Sequence, residues 1–223
     1  MDCSGDDPVV TSYPDLPIVA GNRIECSCVL EARNNESKKV EAVVACMDQS
    51  LYHIAMDAID ELTPSVVPFV SPNAQTPVEG QIISLTASWS GDYIACFSSE
   101  GWLDVFDRNF QEKVTSKNTS CRVSPRGFAW CGDDSVVLYW RTLGLLLVNP
   151  FADWLKYTYD KQDTLILVTE TDGLRVFSSL KQEVIRVVGI WREFHSGAGG
   201  DCGGFFGLGG KLRCAATTYI RAV

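Results

Sequence analysis

The chain has 223 residues, 46% of them hydrophobic and 21% charged, with a net charge of −9, nine cysteines and two histidines. Such acidity argues against a nucleic-acid or anionic-membrane surface as the direct ligand. No apolar run reaches the roughly 18 residues of a membrane-spanning helix, and the start, MDCSGDDPVV, has neither the basic nor the apolar region of a signal peptide. Nine irregularly spaced cysteines are not a disulfide framework. A reducing, cytosolic setting is therefore expected, with membranes reached only through partners.

In chain order, residues 1–22 are rich in Asp, Pro and Ser and read as irregular. Over 23–31, Ile24, Cys26, Cys28 and Leu30 alternate with mostly polar residues, the pattern of a half-buried strand. A polar turn at 34–39 leads to a hairpin, with strands at 42–47 and 51–56 around Asp48-Gln49-Ser50. Residues 57–62 read as a short helical turn. Residues 64–77 hold four prolines and read as a loop. Ile83, Leu85, Ala87 and Trp89 alternate and feed a second hairpin, 93–97 and 102–106, split by Ser98-Ser99-Glu100-Gly101. Its apolar runs lack polar alternation, as strands covered on both faces do. Residues 112–116 read as an outer polar strand. Phe128 and Trp130 open the next unit, whose hairpin spans 136–140 and 143–148. Leu155, Tyr157 and Tyr159 mark a strand over 154–159. A further hairpin follows at 165–169 and 174–177, and 183–188 reads as a last strand.

The phrase Ser88-Trp89-Ser90-Gly91-Asp92 returns as Ala129-Trp130-Cys131-Gly132-Asp133, 41 residues later (130 − 89). Val44-Ala45-Cys46-Met47 is echoed by Ile94-Ala95-Cys96-Phe97. Several short strands in a repeat of about 40–45 residues are the signature of β-propeller blades. One small sheet with two apolar faces cannot cover itself, whereas stacked sheets cover each other. The fold class is thus all-β: a partial β-propeller of WD-like antiparallel blades over 23–188. The competing reading is a set of unrelated hairpins in another all-β fold. The stretch from Gly144 to Gly173 is too short for a full four-stranded blade. Residues 197–210 contain eight glycines, so 189–223 read as a Gly-rich, disordered tail.

Chemistry-bearing residues are few. Cys26-x-Cys28 lacks a nearby second ligand pair and falls on the inward face of a strand, so core residues are the simpler reading than metal ligands. His53 sits in a strand run, and His195 lies in the Gly-rich segment. No G-x-S-x-G nucleophile motif accompanies either. Gly209-Gly210-Lys211 lacks the following Ser or Thr of a P-loop. Asp133, Asp134 and Asp172 sit in turns, where side-chain to backbone hydrogen bonds explain them. Asn35-Glu36-Ser37 and Asn118-Thr119-Ser120 match a glycosylation sequon without a secretory signal. No catalytic, cofactor-binding or metal-ligating residue is assigned.

Ordered phrases carry a family resemblance. Trp130-Cys131-Gly132-Asp133-Asp134-Ser135-Val136-Val137-Leu138-Tyr139-Trp140 resembles a phrase of the vacuolar protein sorting-associated protein 16 family, plant-like members in particular. Leu146-Leu147-Val148-Asn149-Pro150, Tyr157-Thr158-Tyr159-Asp160 and Asp172-Gly173-Leu174-Arg175-Val176-Phe177-Ser178 are similar to phrases that follow it, as is Glu183-Val184-Ile185-Arg186-Val187. Upstream, Ser88-Trp89-Ser90, Ala95-Cys96-Phe97 and the Glu100-Gly101 turn also fit, so the resemblance covers about residues 82–188. It implies a propeller region from a non-enzymatic core subunit of the HOPS and CORVET tethering complexes, peripheral on late endosomes and on vacuoles or lysosomes. The partners it implies are the other subunits of those complexes, with SNARE proteins engaged indirectly. The family's SM-type SNARE-binding subunit is carried by a helical solenoid C-terminal to the propeller. This chain turns Gly-rich there and so reads as a partial member. The alternatives are a WD-like interaction module of an unrelated complex, and a hydrolase whose activity depends on His53.

Overall fold

A computed structural model describes residues 23–31, 38–55, 65–68, 78–149, 154–160, 163–188 and 217–222. Among them the chain forms strands and no helix. The first sheet holds β1 (Ile24–Leu30), β2 (Glu41–Cys46), β3 (Leu51–Ala55) and β4 (Ser65–Pro68). The second holds β5 (Ile82–Ala87), β6 (Tyr93–Ser98), β7 (Trp102–Asp107) and β8 (Lys113–Asn118). The third holds β9 (Gly127–Cys131), β10 (Ser135–Trp140), β11 (Gly144–Val148) and β12 (Trp154–Tyr157). The fourth holds β13 (Ile166–Glu170), β14 (Gly173–Phe177), β15 (Gln182–Val188) and β16 (Thr217–Ala222). Each is an antiparallel meander with strands side by side in chain order, the architecture of propeller blades. The chain divides into two compact units, Met1–Ser124 and Pro125–Val223, each holding two sheets.

Several expectations need correcting. The proline-rich stretch 64–77 contains β4, because Pro68 ends an edge strand, where a missing N–H breaks no ladder. Gly144 and Gly173 are not equivalent: one opens the third strand of its sheet and the other the second strand of the next. Their short separation therefore never had to hold a whole blade. The fourth sheet is completed by β16, so residues 217–222 of the expected disordered tail form a strand, and 183–188 is not the last one. The remainder of that tail, residues 1–22 and the expected helical turn at 57–62 lie outside the described residues. Trp89 and Trp130 lie at the same end of successive sheets but in different roles. Trp130 is a fully buried residue within β9, whereas Trp89 sits half-buried in the turn after β5.

Two bulges shift the expected inward faces. In β1, Ile24 pairs with Cys46 and Cys26 with Ala45, so Glu25 is an extra residue and Ile24 is left exposed. In β5 the extra residue is Ile83, so Ile82 and Leu85 point into the core together. The core of the first unit packs β1 and β2 against β5 and β6 through Cys28, Leu30, Val43, Ala45, Ile94 and Cys96. The opposite face of the second sheet carries Ala95, Phe97, Leu103 and Val105, all fully buried. Burying a side chain the size of Phe97 contributes about 1.5–3 kcal/mol. In the second unit, Cys131, Val137 and Leu147 of the third sheet pack on Leu174, Val176 and Ile185 of the fourth. All six residues of β10 are buried, Ser135 together with the unbroken apolar run from Val136 to Trp140.

Polar groups fasten the paired sheets. Glu41 on β2 is 3% exposed. Its carboxylate accepts from His53 Nε2 on β3 at 2.8 Å and from Arg108 in the turn after β7, tying the second sheet to the first. In the second unit, the Tyr139 hydroxyl donates to the Asp163 carbonyl at 2.8 Å, and Ser179 Oγ donates to the Asp163 carboxylate at 2.6 Å. Glu183, also buried, accepts from Tyr159 Oη at 2.9 Å and pairs with Lys181 Nζ at 2.7 Å.

At two hairpin turns the backbone demands glycine. Gly101 and Gly144 have φ of +85° and +88°, and a Cβ on either would run into a backbone carbonyl, of Cys121 and of Tyr157 respectively. Gly144→Ala is therefore expected to cost about 1–3 kcal/mol in urea denaturation. Gly127→Ala, whose Cβ meets side-chain atoms of Leu167 and Tyr139 rather than a backbone carbonyl, is expected to cost clearly less. Equal losses would contradict the strain assigned to the turn. Glu41→Gln is expected to lose about 1–3 kcal/mol, because it removes one partner of a buried charged node. In a double-mutant cycle Arg108→Ala should then add less than it does alone.

Candidate functional site

Sheets buried on both faces leave only their outermost strands, turns and edges for outside contacts. On β12 of the third sheet, Trp154 is 57% and Leu155 39% exposed. The expected alternation of Leu155, Tyr157 and Tyr159 is thus only partly inward: the two tyrosines pack on the core and Leu155 does not. On β13 of the fourth sheet, Ile166 and Val168 stand on one face, 63% and 44% exposed. They are flanked in register by Phe177 and Arg175, and Arg175 pairs with Glu170 at 2.5 Å. An apolar strip edged by a charge pair is the make-up of a protein-contact surface. Composition gave no warning of it. A strand such as Ile-Leu-Val-Thr-Glu looks fully buried until the neighbouring sheet is seen to cover only one of its sides.

The chemistry-bearing residues are held in structural roles. His53 is engaged by the Glu41 carboxylate, and since a carboxylate only accepts, Nε2 carries the hydrogen in that bond. Cys28 lies in the core and Cys26 beside it, and burial pushes both thiols up to about 12. Thiols held protonated at neutral pH are poor metal ligands and poor nucleophiles. Burial raises Cys96 likewise. Among the described residues no three His, Cys, Asp or Glu side chains gather as a metal cluster. The acids sit in turns: the Asp134 main-chain amide donates to the Cys131 carbonyl at 3.3 Å, and the Asp172 carboxylate pairs with Arg186 at 3.2 Å. Asn118 closes an Asx turn at the end of β8, its Oδ1 accepting from the Ser120 amide at 2.7 Å. His195, Gly209-Gly210-Lys211 and Asn35-Glu36-Ser37 lie outside the described residues.

The arrangement therefore presents surfaces. Comparison with known proteins gives those surfaces a family. Among solved structures, Hsv2 of Kluyveromyces lactis superposes with a TM-score of 0.51 at 11% identity, over 74% of this chain and 57% of its own. The RRP9 WD40 repeats do so with a TM-score of 0.50 at 12% identity, over 74% and 48%. At such identities the likeness speaks for the blade fold alone. Protein VACUOLELESS1 of Arabidopsis thaliana is 28% identical over 185 residues, 80% of this chain and 21% of its own length. The probable vacuolar protein sorting-associated protein 16 homolog of Schizosaccharomyces pombe is 33% identical over 119 residues, 51% of this chain and 14% of its own. The chain thus spans about a fifth or less of the length of these relatives. The family described as "Vps16, N-terminal region" matches residues 6–193, a span that takes in every strand from β1 to β15. By that match, the chain belongs to the Vps16 family through its N-terminal region.

Proposed function

We propose that this chain is a non-enzymatic scaffold element of the HOPS and CORVET tethering complexes, acting in vesicle-mediated protein transport and membrane fusion between endosomes and the vacuole or lysosome. The observation that carries the reading is the family match across residues 6–193, which coincides with the blades rather than with an isolated motif. The relatives' names, vacuolar protein sorting-associated protein 16 homolog and VACUOLELESS1, agree with a role in vacuolar sorting. The physical character of the chain fits a docking element. Among the described residues His53 is hydrogen-bonded to Glu41 and Cys28 and Cys96 pack in the core, and exposed apolar residues lie on edge strands and in turns. Its partners on this reading are the other subunits of the two complexes, with SNARE proteins engaged indirectly and membranes peripherally, at late endosomes and vacuoles or lysosomes. The SM-type SNARE-binding subunit is not assigned to this stretch, because a helical solenoid carries it in the family.

Tagged chain captured from cells is expected to bring down the other tethering subunits and to colocalise with endosomal and vacuolar membranes. Recovery of an unrelated assembly in their place would reject the reading and favour a generic WD-like module. His53→Ala should leave the capture intact if its stability holds. A hydrolase activity abolished by that substitution would overturn the non-enzymatic assignment.

A further inference from the structure

The outer strand of the fourth sheet arrives differently from the other three. β4 follows β3 after nine residues, and β8 and β12 follow their predecessors after five. β16 follows β15 only after 28 residues, numbers 189–216, and pairs with it along its whole length, from Glu183↔Ala222 to Val188↔Thr217. The strand also lies outside the family match, which ends at residue 193. The β15 edge thus belongs to the shared architecture, while the segment seated on it does not.

The core beneath that edge includes residues of the third sheet and of β14 and β15. Ile185 is fully buried against Leu174, Val176 and the third sheet, and stands opposite Ile220 in the ladder. β16 brings a row of backbone hydrogen bonds to that edge, and the same segment of another copy can bring the same row. A connection of 28 residues, fully extended, reaches on the order of 90 Å, enough to seat the strand on another molecule.

We propose that the β15 edge is an exchangeable strand-docking site whose partner is residues 217–222 of a second copy of this chain, giving a strand-exchanged homodimer. In the monomer the chain's own segment competes with an effective concentration of about 1 mM, so exchange is governed by protein concentration. At that competition about one molecule in a hundred is exchanged at about 10 µM, and about one in ten at about 100 µM.

Val184 and Arg221 face each other in the ladder and give a direct test. One full-length chain carries Val184→Cys and a differently tagged one carries Arg221→Cys. The two are mixed under mild oxidant, and the peptide linking positions 184 and 221 is quantified by mass spectrometry. A third chain carries both substitutions and reports pairing within one molecule. The expected result is an interchain link that rises about tenfold between about 10 and 100 µM, together with an intrachain link in the doubly substituted chain. An intrachain link with no interchain link at any concentration would overturn the exchange. Absence of both links would overturn the docking edge itself. Neither outcome bears on capture of the tethering subunits, so the two readings fail separately.

Discussion

A four-stranded sheet that is apolar on both faces must be covered on both, and this requirement shapes each unit of the protein. β6 and β10 show its strength: every residue from Ile94 to Ser98 and from Ser135 to Trp140 is buried. The same requirement dictates where function can reside. A strand whose two sides are both committed to packing has no side chain left to aim at a substrate. Glu41 and Asp163, polar groups that do enter the interior, are consumed by partners on neighbouring strands and turns.

That division between interior and margin explains what the sequence made legible. Unbroken apolar runs such as Val136 to Trp140, punctuated by Gly-containing turns, can hardly be anything but buried strands, and the hairpins stand where those runs lie. The repeat distance between the two Trp-containing phrases likewise follows from one blade succeeding another. Legibility fails wherever a local pattern is overruled by something distant. Ile24 and Ile83 keep the alternation of an inward face, yet a single extra residue in the ladder puts each out of phase. β4 hides behind prolines that an edge strand tolerates. β16 hides behind a Gly-rich segment, because its partner lies about thirty residues upstream and leaves no local mark. The Glu41 node joins residues 12 and 67 positions apart, and no spacing rule anticipates it.

The candidate chemistry was resolved by the same logic. His53 and the Cys26-x-Cys28 pair are residue types that carry reactions elsewhere. Here His53 donates a hydrogen bond to the buried Glu41 carboxylate, and the thiols are kept protonated by the apolar surroundings that make them useful as filler. The exposed residues are of the opposite kind, large and apolar with little reactivity: Trp154, Ile166 and Val168. Family membership and physical character thus both agree with the docking role proposed above.

The extra residues Glu25 and Ile83 have a further consequence, for how such a chain can change over generations. In a regular strand, gaining or losing one amino acid turns every following side chain to the opposite face, which is ruinous when one face is core. A ladder that already accommodates a surplus residue confines the slip to a single place. These two points are therefore where the coding sequence can drift in length by one codon without inverting a blade, and where alignments among distant relatives should be allowed to open a gap.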